Sequence, residues 1–323
     1  MAGVGAGPDG HCPACASVEG RVVRTGLRHG LRQYGYVECA GCGLVAQSPF
    51  PTPEEIARTY DDPEHDEAYY RARVAWYERQ WRYYAGKLSS VLTPESRVLD
   101  VGCGYGGLLR ALRGLGVREA LGIDRYSPTR DLTVREFGVE VIFAEFESYD
   151  FGNRRFDLIV SQHTLEHVPR PDAALGKMAA LLRPGGRLVV SVPNFASRAS
   201  RWFGSAWLFA KTPQHLYLYT ASVLGRLLAK AGLQVERVDW FDYYHNVAGY
   251  MGSLPWERWG RTGRALRLVA RLAVEPVVVL DGLMRQGASI CLHARRPDGV
   301  SAHPGPEWAT GPPPMVIGPT GTS

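Results

Sequence analysis

The chain has 323 residues, 45% hydrophobic and 21% charged, enough to bury one large α/β core beside a small accessory unit. Its formal charge of +5 comes from arginines scattered along the chain, so a nucleic-acid partner is permitted but not indicated. No run of about 18 apolar residues occurs and the first residues lack the basic start and apolar stretch of a secretory signal, which predicts a cytoplasmic protein with no membrane-spanning helix.

Residues 1–11 are glycine-rich and expected to be disordered. Cys12, Cys15, Cys39 and Cys42 then form two CxxC pairs. In a reducing compartment such spacing favours metal over disulfides, and four thiolates leave no open ligand position, so the expected zinc is structural. Gly41 and Gly43 suit the tight turn of the second pair. This zinc ribbon is assigned to residues 12–47, and residues 48–95, rich in Tyr, Trp and Arg, read as a helical linker or lid.

From Arg97 onward strand-like runs alternate with amphipathic helical runs: RVLDV, GLLRALRGLG, EALGID, SPTRDLTVREFG, VEVIFA and FDLIVS. A helix over 171–182, a turn RPGG, the strand RLVVSVP, the helix ASVLGRLLAKAG and the strand LQVERVDW follow. A long helical insertion precedes a last strand, GASICLHARR. The alternation predicts right-handed βαβ units and a parallel sheet over residues 96–296. Residues 265–284 of the insertion are broken by Arg267, Arg271, Glu275, Pro276 and Asp281, which excludes a membrane span. They are expected to pack as an amphipathic helix, with contact to a lipid-linked substrate as the second reading. Residues 297–323 form a Pro- and Gly-rich tail expected to be disordered.

Residues 98–107 read VLDVGCGYGG, and Gly102, Gly104 and Gly106 would let the backbone approach a ligand closely. The glycines alone would equally serve a dinucleotide. Asp100, just before them, suits the cationic ammonium of a methionine moiety better than a pyrophosphate. Asp124, ending the next strand, is placed to accept both ribose hydroxyls.

With these residues, the segment 97–296 resembles the class I S-adenosylmethionine-dependent methyltransferases, DVGCGYG standing as the first motif and GID as the second. The resemblance implies an α/β fold with a Rossmann-like seven-stranded sheet and helices on both faces, here preceded by the small zinc ribbon, and S-adenosylmethionine as cofactor. It places Glu145 near the adenine amine, Phe146 against the ring and Gln162 beside the methionine portion.

Residues 161–169, SQHTLEHVP, resemble the xxxLEHVP stretch of methyltransferases related to ubiquinone O-methyltransferases. On a helical turn His163, Glu166 and His167 can share a face. They either orient the cofactor loop by hydrogen bonds or, with His215, hold a second divalent metal, since some relatives bind one through a Glu-x-x-Glu-His cluster and a distant His. Here His163 replaces the first Glu, and imidazole ligands favour Zn, Fe or Mn over Mg.

Residues 193–220 resemble the PN...RxFG...W...PxHLYxFT pattern of a bacterial methyltransferase group that acts on varied small molecules. Trp202, Phe203, Trp207, Tyr217 and Tyr219 are either an apolar wall around an acceptor or plain core. His215 is the leading candidate for the general base, with a satisfied structural histidine as its alternative. His163 is a further candidate, and Tyr243, Tyr244 and His245 are the reserve. The expected activity is methyl transfer to a hydroxyl or carbon of a small molecule such as a natural-product, glycan or lipid precursor. The alternatives are an RNA methyltransferase whose ribbon reads the substrate and a non-catalytic S-adenosylmethionine-binding protein. Against RNA stand the dispersed charge and SQHT where an Asn-Pro-Pro-Tyr type motif would fall.

Overall fold

The computed structural model describes residues 7, 10–29, 32–59, 71, 74–125, 137–256 and 260–298. Nearly all of the helix expected over SPTRDLTVREFG, most of the opening segment and the tail beyond Asp298 lie outside the described residues.

Strands β1 (Gly20–His29), β2 (Arg32–Cys39) and β3 (Val45–Ser48) form an antiparallel meander between and after the cysteine pairs. Helix α1 (Pro53–Arg58) starts at Thr52, whose hydroxyl accepts from the Glu55 amide while the Glu55 carboxylate accepts from Thr52 in return. Helix α2 (Val74–Leu88) buries Gln80, Tyr84, Ala85 and Leu88, a stripe at helical spacing.

The main sheet then builds from β4 (Arg97–Val101), β5 (Glu119–Asp124), β6 (Glu140–Phe143), β7 (Phe156–Gln162) and β8 (Leu182–Pro193), with α3 (Gly107–Gly114) after β4 and α4 (Pro171–Leu181) before β8. Helix α5 (Arg198–Phe203), strand β9 (Tyr217–Leu218) and helix α6 (Ala221–Lys230) lead to β10 (Gln234–Asp239). Helices α7 (Tyr243–Met251) and α8 (Gly260–Leu283) precede β11 (Ser289–Arg295). The strand order is β10-β11-β8-β7-β4-β5-β6, parallel from β6 to β8, with β11 antiparallel to both its neighbours.

Alternation along the strands divides the core between two faces. Leu99, Ile159, Leu188 and Val190 point to the side of α4 and α6, whereas Val98, Leu158, Val160 and Val189 point to that of α2 and α3. The RPGG segment expected as a turn is instead part of β8: Leu182 already pairs with Phe156, and the register shifts before Arg187 meets Leu158, with Gly185 at φ +76°. The two glycines allow a bulge where a turn was read.

The cysteine-bearing sheet does not end at Ser48. Strand β9, from the far half of the chain, pairs with β3, and the Gln47 amide donates to the Leu216 carbonyl at 2.9 Å. Tyr36 donates to the His215 carbonyl at 2.8 Å, and buried Arg24 donates to the carbonyls of Gly204 and Ser200 beneath the rings of Phe195 and Trp207. A third apolar core, with Tyr36, Val45, Trp207, Phe209 and Val278, fills this junction. Among the described residues no helix is long and apolar enough to cross a membrane.

Candidate active site and its metal-binding clusters

The turn after β4 holds Gly102, Gly104 and Gly106 at φ +76°, +51° and +74°, the left-handed region that glycine enters without strain. Each position has its own reason. A Cβ on Gly102 would stand 2.1 Å from the Thr164 Oγ1, so the loops after β4 and β7 touch there. A Cβ on Gly104 would meet nothing within 4 Å, so this glycine faces open space, and its amide donates to Asp124 Oδ2 at 2.8 Å. Gly107 abuts Trp81 of α2, which seats that helix on the first turn of α3.

Asp100 is buried at the end of β4, and burial together with the nearby charge of Asp124 pushes its carboxyl up to about 7. A buried carboxylate beside an open glycine turn fits an ammonium-bearing ligand, and a second carboxylate ending β5 fits a ribose. Glu145 is exposed beside Arg125, 3.4 Å away. Phe146 is buried in the core against Phe151, with the Lys177 ammonium over its ring. Gln162 is the last residue of β7 and half-buried.

Beyond Gln162 the backbone turns sharply: His163 has φ +49°, a conformation rare for a residue with a side chain, and its amide donates to the Ser191 carbonyl. The turn brings together residues from five elements. His163 Nε2 lies 3.2 Å from Ser289 Oγ of β11 and 4.0 Å from Asp242 Oδ2, and its Nδ1 lies 3.4 Å from Glu166 Oε1. Its ring stacks on His245 of α7. Asp242 caps α7 and lies 3.0 Å from His245 Nδ1, while Tyr84 of α2 reaches both, 3.0 Å from the carboxylate and 2.7 Å from the imidazole.

The second part of the cluster surrounds Glu166. This carboxylate, in the 3-10 turn Leu165–His167, is fully buried and neither oxygen makes a hydrogen bond of good geometry. One of its carboxylate oxygens and one ring nitrogen each of His167 and His215 lie within 4.8 Å of one another. His167 Nδ1 is 3.0 Å from the Gln214 carbonyl and His215 Nδ1 is 2.8 Å from that of Phe209. Those carbonyls fix the Nδ1–H tautomer and leave both Nε2 atoms as acceptors. Tyr219 and Tyr217 brace the turn from β9 and its flank, donating to the carbonyls of Leu165 and Pro169.

Charges in this pocket are strongly displaced. Burial pulls His163 toward neutrality, but Asp242 and Glu166 more than offset this and hold it up at about 9. Burial would raise Glu166, yet His163 and the other two imidazoles bring it down to about 2. Asp242 is likewise held well below the carboxylate range by His245 and His163 against the effect of burial. His215 falls to about 3 through burial and the neighbouring His167, and His245 is lowered by burial and by His163.

Residues 74–238 match a family described as methyltransferase domain, half of the chain. The chain belongs to this methyltransferase family. It is 32% identical over 165 residues to the ubiquinone biosynthesis O-methyltransferase of Aeromonas salmonicida, a match covering 46% of this chain and 66% of that protein. It is 29% identical over 165 residues to the tRNA U34 carboxymethyltransferase of Methylococcus capsulatus, covering 49% of this chain and 50% of that one. In fold it is similar to the complex between the Haloferax volcanii Trm112 methyltransferase activator and a methyltransferase, with a TM-score of 0.50 at 18% identity, covering 72% of this chain and 96% of that one. The methyltransferase is S-adenosylmethionine-dependent, and its sheet is the Rossmann-like one that the sequence motifs implied.

At the amino-terminal end of the methyltransferase, Cys12 and Cys42 sulfurs stand 3.5 Å apart, as do those of Cys15 and Cys39, and all four lie within 4.8 Å of one another. Tetrahedral zinc with bonds of about 2.3 Å has sulfur–sulfur edges of about 3.8 Å, so the four thiols fit it. The two turns are alike: Ala16 donates to the Cys12 carbonyl and Gly43 to that of Cys39, with positive φ at both donors. Arg226 and Lys230 of α6 bind the carbonyls of Cys42 and Ala14, fastening the cluster to the methyltransferase core.

The structure thus joins His163 with Asp242 and His245 on one side and Glu166, His167 and His215 on the other; His163 touches the second group only through Glu166, so the four-residue metal set expected from sequence is divided between the two. Tyr84, Asp242 and Ser289 are members that the motifs did not indicate; an Asp three residues before a His was the one local signal available. Trp207, Tyr217 and Tyr219 are core residues, and Trp202 is exposed.

Proposed function

We propose that this methyltransferase transfers the methyl group to a hydroxyl of a small molecule, such as a natural-product, glycan or lipid precursor, and that His245 accepts the hydroxyl proton. What supports this reading is the chain Tyr84–Asp242–His245. Asp242 accepts from His245 Nδ1–H, so the lone pair rests on Nε2. Burial and His163 keep that imidazole neutral, hence basic, at ordinary pH. The acceptor oxygen yields its proton to Nε2 as its bond to the methyl carbon forms and the sulfur–methyl bond breaks, leaving S-adenosylhomocysteine. Orientation supplies most of the remaining rate, because the sulfonium methyl is already electrophilic.

His215, the leading candidate base from sequence, is better suited as a ligand here. With Glu166 and His167 it offers one carboxylate and two Nε2 donors, each imidazole oriented through its Nδ1–H, a donor set that favours Zn, Fe or Mn. A cation held there would lower the pKa of a bound hydroxyl. The four-cysteine cluster is assigned to structural zinc. Asp100, Asp124 and the turn 102–106 are assigned to S-adenosylmethionine, with Glu145 at the adenine side and Gln162 at the methionine side.

The test is S-adenosylhomocysteine release with a panel of phenols, catechols and sugar nucleotides and, separately, with transcribed tRNA. Turnover on a hydroxyl compound that His245→Ala lowers about 100-fold or more, with S-adenosylmethionine affinity kept, supports the proposal. Turnover on RNA alone, or cofactor binding without turnover, overturns it. Metal analysis of Glu166→Gln reads the cation site independently: the cysteine-held zinc should persist and a second equivalent should vanish.

A further inference from the structure

The outer side of α8 is apolar where a helix facing water would be polar. Val269, Leu272, Pro276, Leu280 and Leu283 follow one another at three- and four-residue steps and so form one stripe about 21 Å long. All are exposed, Leu272 by 65% and Leu283 by 79%, and no charge interrupts them. The inner side, with Val274, Val278 and Asp281, packs against the core that holds Tyr250 of α7. Met284 and Trp202 extend the patch onto α5: Arg198 lies over the Trp202 ring and contacts the Met284 sulfur. An apolar area of this kind needs an occupant.

Charge selects the occupant. Arg201 and Arg285 are exposed at the Trp202 end of the patch, beside Arg198, whereas Arg267 and Arg271 lie on the α7 side of the helix, over the Trp256 ring and against the Tyr243 hydroxyl. The adjacent carboxylates are already engaged: Glu275 accepts from Tyr243 and Arg271, and Asp281 is buried beneath Arg198 and Tyr250. A second copy would set these arginines against their own counterparts, and among the described residues of the patch no carboxylate is free to answer them. An anionic bilayer answers it with phosphates, and an apolar stripe with a Trp at its end and arginines beside it is the composition that a headgroup boundary favours.

We propose that α8 and Trp202 lie in the surface of an anionic membrane, the stripe beneath the headgroups and the arginines among their phosphates. Helix α7 links this face to the site, since it carries His245 and joins α8 through the Tyr243–Glu275 hydrogen bond at 2.7 Å. The proposal does not rest on the identity of the acceptor.

The experiment is flotation of the full chain with phosphatidylcholine vesicles, with and without phosphatidylglycerol, beside the double variant Leu272→Glu/Leu280→Glu. Both substitutions fall on exposed positions, and S-adenosylmethionine affinity verifies the fold. The unaltered chain should float with the anionic vesicles, less so at high salt, and the variant should lose at least about tenfold in partitioning. Absence of flotation, or flotation equal in the variant, overturns the proposal. A dimer that the variant dissociates, without vesicle binding by either protein, overturns it in favour of a second copy.

Discussion

The imidazoles of His163 and His245 lie face to face, ring centroids 3.5 Å apart and planes 19° from parallel, and the Asp242 carboxylate reaches both. Two stacked imidazolium ions would repel, so one ring carries the charge and the other stays neutral. Asp242→Asn keeps the size of the side chain and removes the charge that fixes the His245 tautomer. Turnover should drop about 100-fold or more while the dissociation constant of S-adenosylmethionine stays within about twofold. Steady-state kinetics beside a binding titration reads both, and equal losses in the two would contradict a role confined to the acceptor side.

Gly102→Ala and Gly104→Ala should separate stability from binding. Both sit at positive φ, a strain of about 1–2 kcal/mol for any side chain. At Gly102 the new methyl also collides with Thr164, adding about 1–3 kcal/mol, whereas at Gly104 it meets open space. Thermal melts should therefore show the larger loss for Gly102→Ala. Gly104→Ala should fold with a small loss yet weaken S-adenosylmethionine binding, because its methyl enters the space left for the ligand.

Asp100 titrates near 7, raised by burial and then by Asp124. Below that pH its neutral acid cannot balance an ammonium group, so S-adenosylmethionine affinity should rise with pH, up to about tenfold per unit, and level off above 7. The effect on the ligand-free fold has the opposite sign. The native carboxyl binds its proton more tightly than the unfolded one, so this group's contribution to stability falls as pH rises from about 4 to 7. Calorimetric titrations across that range would show the slope, and Asp100→Asn should flatten it.

Cys39→Ser should lose the cysteine-held zinc equivalent and, through β3 and β9, lower the melting temperature of the chain as a whole. Metal analysis and melting curves on the same sample settle it. A variant that has lost this equivalent but melts unaltered would mean that the sheet stands without the metal.

The cofactor side was legible in sequence because its parts are neighbours: Asp100 precedes its glycines, Asp124 ends the next strand, and each cysteine pair spans four residues. Strand alternation likewise gave most of the sheet. The acceptor side was only half legible. His163, Glu166 and His167 share one short turn, but Tyr84, Asp242 and Ser289 come from α2, α7 and β11 and meet only after the chain has folded. Strand β9, two residues long, carries too short a pattern for periodicity to detect, and RPGG read as a turn because two glycines look the same in a turn and in a bulge.

The pairing of Val45 with Leu218 and of Ala46 with Tyr217 makes the amino-terminal ribbon a poor cassette. A foreign ribbon grafted at this end would have to reproduce that register, and would also need a cation where Arg24 grips the Ser200 and Gly204 carbonyls. The stretch from Ser200 to Tyr219 that those contacts hold is the one that braces Glu166 and presents His215. Altering the preference for acceptors by domain shuffling is thereby closed off; the two segments can diverge only in step, each change on one side answered on the other.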